Sequence, residues 1–152
     1  MSLLTFLTRF ADPRHDELPN TDPAAQETQA LAMVIDDDPG MRSLMTLSLE
    51  QVGYHVVAAP NASEAIALAQ SIHRIDLVVV DLELRGLHGP AVVSSLRAMT
   101  GYMPVVYVSE RTAGTVGVAD PVLRKPFLCG EWLNTVAAVV GVLPKDRGIV
   151  AA

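Results

Sequence analysis

Cysteine is almost missing from this chain: Cys129 stands alone among 152 residues. One thiol excludes an internal disulfide and a cysteine-rich zinc site, and it fits a reducing, cytoplasmic setting. Aromatic residues are also scarce, at 5% of a chain that is half hydrophobic. The core must therefore be built from Val, Leu, Ala and Ile, a bias that suits a sheet buried on both faces by helices. Basic residues are outnumbered, 11 against 17 acids for a formal charge of −6, and no run of Lys or Arg stands out. Nucleic-acid binding through a basic face is disfavoured by that balance. No apolar stretch reaches the roughly 20 residues that span a bilayer, so no membrane role is expected. MSLLTFLTRF is apolar but lacks a basic n-region and a small-residue cleavage site, so it does not read as a signal peptide. The length suits one domain with a real core and hardly two.

The first 29 residues differ from the rest. Leu3, Leu4, Phe6, Leu7 and Phe10 have the spacing of a short amphipathic helix, and a proline-rich polar stretch follows as a linker. This extension either frays without a role or docks on a partner or a second copy. From Leu31 onward strands and helices alternate. LAMVI (31–35) is a continuous apolar run, the mark of a buried parallel strand. Asp38 caps the next helix with Pro39 at its first position; Met41, Leu44, Met45, Leu49 and Val52 form its apolar face, and Gly53 stops it. HVVAA (55–59) is a second strand, followed by a helix capped by Asn61 and Glu64 and carrying Ala65, Ile66, Leu68, Ala69 and Ile72. DLVVVD (76–81), MPVVYVS (103–109) and a short strand within PVLRKPF (121–127) complete the set. A helix over about 90–99 separates the third and fourth strands, and Trp132, Leu133, Val136, Val139 and Val140 mark the last helix. Five strands with alternating helices predict right-handed crossovers and a doubly wound parallel α/β sheet.

Ligands of such sheets bind beyond the carboxyl ends of the strands, at the point where strand order reverses. Asp36 and Asp37 lie at the end of the first strand, Asp81 ends the third, Ser109 ends the fourth, and Lys125 follows the fifth. Each alone has an ordinary explanation: a solvated strand end, a loop cap, a backbone-bonded serine, a surface lysine. Together, four strand ends bring polar groups to one rim. Three carboxylates in one pocket must raise their pKa values or hold a cation, because unit charges about 4 Å apart repel by roughly 4 kcal/mol at an effective dielectric near 20. Oxygen-only ligands favour a hard ion such as Mg²⁺. A lysine and a hydroxyl supply the charge and the donor that a phosphoryl group needs. An aspartate can accept that group as an acyl phosphate. His55, His73 and His88 show no metal-ligand spacing with one another or with Cys129, so no transition-metal site is expected, and Cys129 reads as a small packing residue.

VIDDDPGMR, DLVVVDLELRG, VVYVS and LRKPF, in this order and at these spacings, resemble a response-regulator receiver domain over about 31–143. The resemblance implies a flavodoxin-like sheet of order 2-1-3-4-5. Residue by residue it implies that Asp81 is the phosphoacceptor and that Asp36 and Asp37, with Asp81 and the backbone carbonyl of Glu83, hold Mg²⁺. Ser109 would turn toward the phosphoryl group, and Lys125, before a cis peptide bond to Pro126, would pair with it. The implied partners are a histidine kinase or phosphotransfer protein and a downstream protein target. The domain would catalyse its own phosphorylation and dephosphorylation without turning over a separate substrate.

Several positions depart from the commonest receivers. Ser109 and Lys125 are only 16 residues apart, fewer than the family usually shows, at the cost of the helix between the fourth and fifth strands. Val122 stands where many receivers carry a Tyr or Phe that swings inward. Arg85 replaces a usual proline, and His88 a common Asp. PVVYVSER (104–111) resembles the atypical, stand-alone PFxFATGY-type subgroup, with Glu110 and Arg111 in place of its Gly and Tyr. Glu110 adds a carboxylate beside Ser109, and Arg111 would offset it by pairing. The reading is an extension over 1–29, a stand-alone receiver over 30–143 and a tail over 144–152, signalling through protein contacts, with a homodimer through the edge near the last helix compatible with the pattern. The alternative is a phosphorylation-independent interaction module on the same scaffold. A metal-dependent phosphohydrolase is disfavoured, because no D-x-D motif follows the first strand.

Overall fold

The central apolar runs fold as strands because they are buried on both faces, with edge strands more exposed, and a computed structural model describes residues 29–111 and 117–147. The strands are β1 (Leu31–Ile35), β2 (His55–Ala59), β3 (Leu77–Asp81), β4 (Val105–Ser109) and β5 (Val122–Arg124). All pair in parallel, in the order β2-β1-β3-β4-β5. Between them lie α1 (Pro39–Gln51), α2 (Ala62–Ala69) and α3 (Gly89–Thr100), and α4 (Cys129–Val140) follows β5. The helix expected at the N-terminus lies outside the described residues, as do 112–116 between β4 and β5.

Alternation along each strand splits the core in two. Met33, Ile35, Val78, Val80, Val105 and Tyr107 face α2 and α3. Ala32, Val34, Leu77, Val79, Val106 and Val108 face α1 and α4. Each fully buried Val, Leu or Ile contributes about 1.5–3 kcal/mol relative to exposure. On the second face Trp132 is the largest buried side chain. Its Nε1 donates to Ser48 Oγ at 2.8 Å, and its ring lies 5.8 Å from that of Phe127, tying α4 to α1 and to the segment after β5.

Local chemistry sets the helix ends. Asp38 accepts from the N–H groups of Gly40 and Met41, and Asn61 from that of Glu64, so Asp38 caps as expected while only the Asn61 half of the expected Asn61/Glu64 box is made. Gly53 ends α1 at φ +98°; a Cβ there would also lie 3.1 Å from Pro144. Pro144–Asp146 forms a 3₁₀ turn whose Lys145 N–H donates to Val52 O at 3.0 Å, so ordered packing continues past Leu143.

Two expected core positions are corrected. Leu44 is 49% exposed, because Met45 and Leu49 take the inward direction and buried Ser48 serves Trp132. Cys129 is exposed at the first position of α4, where that helix has not yet reached the sheet.

Candidate metal and phosphoryl site

Strand register assembles the rim. Ile35 pairs with Val80, so Asp36 stands opposite Asp81; Asp81 pairs with Val108, one residue before Ser109; Ser109 pairs with Arg124, one residue before Lys125. Carboxylate oxygens of Asp36, Asp37 and Asp81 come within 4.8 Å of one another. Lys125 Nζ lies between two of them, donating to Asp36 Oδ2 at 2.9 Å and Asp81 Oδ2 at 3.1 Å. The Lys125–Pro126 bond is cis. A cleft of about 890 Å³ opens above, lined by Asp37, Asp81, Arg85, Glu110, Lys125 and Pro126 among others.

The carboxylates differ in environment. Asp36 is fully buried, and burial raises its carboxyl above the usual range, although the bonds from Lys125 and from the Asp38 N–H at 2.9 Å pull the other way. Burial alone would lower the Lys125 ammonium, but its hydrogen bonds to Asp36 and Asp81 and their charges outweigh that and hold it above the ordinary lysine value. Both directions favour more positive charge in the cluster, as a proton or a cation. Asp37 is exposed and lies 3.4 Å from Arg85 Nε. Asp81 is 5% exposed, with Oδ1 accepting from the Glu83 N–H at 2.8 Å. The donor set is all oxygen, with one open side toward solvent, and so fits a hard cation that keeps part of its water shell.

Ser109 reaches the rim fully buried, but its hydroxyl is not bonded to Asp81 or Lys125. It donates to Glu83 Oε1 at 3.0 Å and accepts from the Arg111 N–H at 2.9 Å. The expected pairing of Arg111 with Glu110 does not form. Arg111 Nε lies 3.4 Å from Glu83 Oε1, because Glu83 reaches over Ser109 while Glu110 contributes its N–H to Glu83 Oε2 at 3.3 Å.

Three contributors escape a reading by motif. Arg42 Nη1 donates to Asp36 O at 2.8 Å, steadying the end of β1. A cation in the first turns of a helix opposes the macrodipole, and that placement was the legible sign of a partner. Gly89 packs so close to β3 that a Cβ would lie 2.7 Å from Asp81 O. The Glu83 side chain carries no sequence signal, since its contacts come from Ser109 at the end of β4 and from Glu110 and Arg111 just beyond it.

A doubly wound parallel sheet with an acidic cleft where its strand order reverses defines an open α/β protein of the kind that binds ligands at strand ends. Within that class, residues 32–129 match the response regulator receiver domain family, and the chain belongs to it. It is 33% identical over 119 residues to the transcriptional regulatory protein PrrA of Mycobacterium tuberculosis, covering 74% of this chain and 51% of that one. The chain thus spans about half the length of the curated relatives it matches. Its fold superposes on a response regulator receiver protein from Sinorhizobium medicae with a TM-score of 0.66 at 25% identity, covering 76% of this chain and 97% of that one. Against the chemotaxis protein CheY4 of Vibrio cholerae the TM-score is 0.64 at 27% identity, covering 73% and 98%. Receiver domains belong to two-component systems and are signalling modules, not turnover enzymes.

Proposed function

We propose that this receiver accepts a phosphoryl group on Asp81 from a histidine kinase or a phosphotransfer protein and passes the signal on through contacts with a downstream protein. The observation that carries the reading is Lys125 Nζ held between Asp36 and Asp81 in a cleft open to solvent. An Asp81 oxygen attacks phosphorus, the bond from phosphorus to the donor nitrogen breaks, and the imidazole leaves with the electron pair. The Glu83 N–H on Oδ1 and Lys125 on Oδ2 orient the carboxylate, and the lysine charge offsets that of the arriving group. Asp36, Asp37, Asp81 and the backbone carbonyl of Glu83 would hold Mg²⁺, which when bound offsets negative charge on the phosphoryl oxygens. Ser109 supplies a hydroxyl for one of those oxygens once it turns inward. The receiver unit is assigned to 30–143, and the short segment between β4 and β5 supports a place near the PFxFATGY-type subgroup.

Incubation with Mg²⁺ and acetyl phosphate, followed by intact-mass measurement, tests the reading. One added phosphoryl group on the wild type and none on Asp81→Asn is expected. Absence of an adduct overturns it, and absence of Mg²⁺ binding as well favours the phosphorylation-independent interaction module.

A further inference from the structure

We propose that the Glu83 carboxylate is a latch on Ser109, a positioning residue that keeps the serine hydroxyl committed away from Asp81 until a phosphoryl group competes for it. This rests on the reading of the site given above. A hydroxyl carries a single proton. In this structure that proton goes to Glu83 Oε1 at 3.0 Å, and the oxygen in turn accepts from the Arg111 N–H at 2.9 Å. Ser109 is fully buried, and these two protein partners satisfy its hydroxyl. Its backbone is fixed as well, because the Lys125 N–H donates to Ser109 O at 2.7 Å and the residue lies within β4. Only the side-chain rotamer is left to change.

Glu83 is itself held from two sides. Its N–H is on Asp81 Oδ1 at 2.8 Å, so the residue rides on the phosphoacceptor. Its carboxylate is fixed by the Glu110 N–H at 3.3 Å and by Arg111 Nε at 3.4 Å. The bond from a hydroxyl to a carboxylate is charge-assisted, and only an acceptor of comparable charge displaces it. A phosphoryl group on Asp81 is such an acceptor. When Ser109 turns to it, Glu83 loses its only hydroxyl partner among the described residues, and the Glu83–Arg111 pair is free to rearrange at the surface. Glu83 and Arg111 side chains are 37% and 74% exposed, and they border a cleft shared with Leu84, His88 and Pro90. Phosphorylation is thereby converted into a change on the face formed by the β3–α3 and β4 loops, with no aromatic ring needed at Val122.

The test uses the full chain with Mg²⁺ and acetyl phosphate: the bond from phosphorus to the acetate oxygen breaks, acetate leaves with the electron pair, and a bond from phosphorus to an Asp81 oxygen forms. Initial rates are taken by intact mass for wild type, Glu83→Ala, Glu83→Gln, Ser109→Ala and the Glu83→Ala/Ser109→Ala double variant. Loss of the latch frees Ser109 in advance, so Glu83→Ala accelerates phosphorylation on the order of tenfold. Glu83→Gln keeps an acceptor without the charge and falls between wild type and Glu83→Ala. With Ser109 gone, Glu83→Ala changes the rate by less than about twofold. Equal acceleration in both backgrounds means that Glu83 acts by charge alone and overturns the latch. A second measurement needs no donor. NMR couplings of the Ser109 β-protons report one rotamer in the wild type and averaging in Glu83→Ala; averaging already present in the wild type overturns the proposal whatever happens at Asp81. A wild type that takes up no phosphoryl group removes the reading of the site, and the latch with it, whereas uptake without coupling removes the latch alone.

Discussion

Single atoms decide much at the rim and in the core. Gly89 is the sharpest case, since a methyl group there would meet the main-chain oxygen of Asp81 at 2.7 Å. Gly89→Ala is expected to lower stability by about 1–3 kcal/mol, the usual cost of overpacking, and to slow acyl-phosphate formation by displacing Asp81. Gly130, in α4 with nothing near its missing Cβ, is the control: Gly130→Ala should be neutral or stabilising by up to about 1 kcal/mol. Urea denaturation of both variants, with intact mass on the first, checks the pair. Tyr54 gives the opposite kind of prediction. Its ring is buried and its hydroxyl has no hydrogen-bond partner among the described residues, and burial raises the phenol above the ordinary value near 10. A raised folded-state value means that stability is complete below pH 10 and declines as pH rises above it, because only the unfolded chain releases the proton there. Tyr54→Phe removes an unpaired polar group, so it should hold or raise the neutral-pH midpoint and flatten the alkaline decline. A Phe variant less stable at neutral pH would show that the hydroxyl has a partner in solution.

At the level of elements, Trp132 joins α4 to α1 and to the segment that follows Lys125. Trp132 is bonded to Ser48 on α1 and stacked with Phe127, two residues beyond Lys125. Ser48→Ala leaves the buried indole N–H without a partner and is expected to cost about 1–3 kcal/mol. In a Trp132→Phe background the same change should cost under about 0.5 kcal/mol, because no donor remains to be stranded. Chemical denaturation of the four proteins of that cycle measures the coupling directly. Equal costs in both backgrounds would assign the role of Ser48 to its bond with Met45 O, made at 3.0 Å, and not to Trp132.

Across the whole molecule, three carboxylates from two different strand ends, Asp36, Asp37 and Asp81, are brought together where the strand order reverses. A cation that binds the folded cluster and not the unfolded chain stabilises by mass action, about 2.7 kcal/mol at a hundredfold excess over its dissociation constant. Mg²⁺ should therefore raise the Tm of the wild type, EDTA should reverse the gain, and Asp36→Asn should abolish most of it. Calorimetry with and without the ion checks this, and a gain that survives in Asp36→Asn would place the ion elsewhere. Among the described residues no helix is long and apolar enough to cross a membrane.

What the sequence determined by itself is everything that local chemistry and strand periodicity control. Four of the five strands came within two residues of their observed ends, Asp38 and Asn61 accept at the helix starts although Glu64 does not close its half of the box, and Asp36, Asp37, Asp81 and Lys125 met at one rim. These were legible because an apolar run must be buried, and a parallel sheet brings all carboxyl ends to one edge. Tertiary structure alone decided the direction of side chains whose partners lie far away in sequence. Leu44 lost the inward position to neighbours in its own helix, while Ser48 gained a burial that only Trp132, 84 residues away, explains. Arg111 chose Glu83 over its neighbour Glu110, and Ser109 gave its one proton to Glu83, because β3 and β4 pair in a register that sets those groups side by side. Periodicity carries burial but not the identity of a distant acceptor, and a hydroxyl with one proton takes whichever acceptor the folded sheet brings within 3 Å.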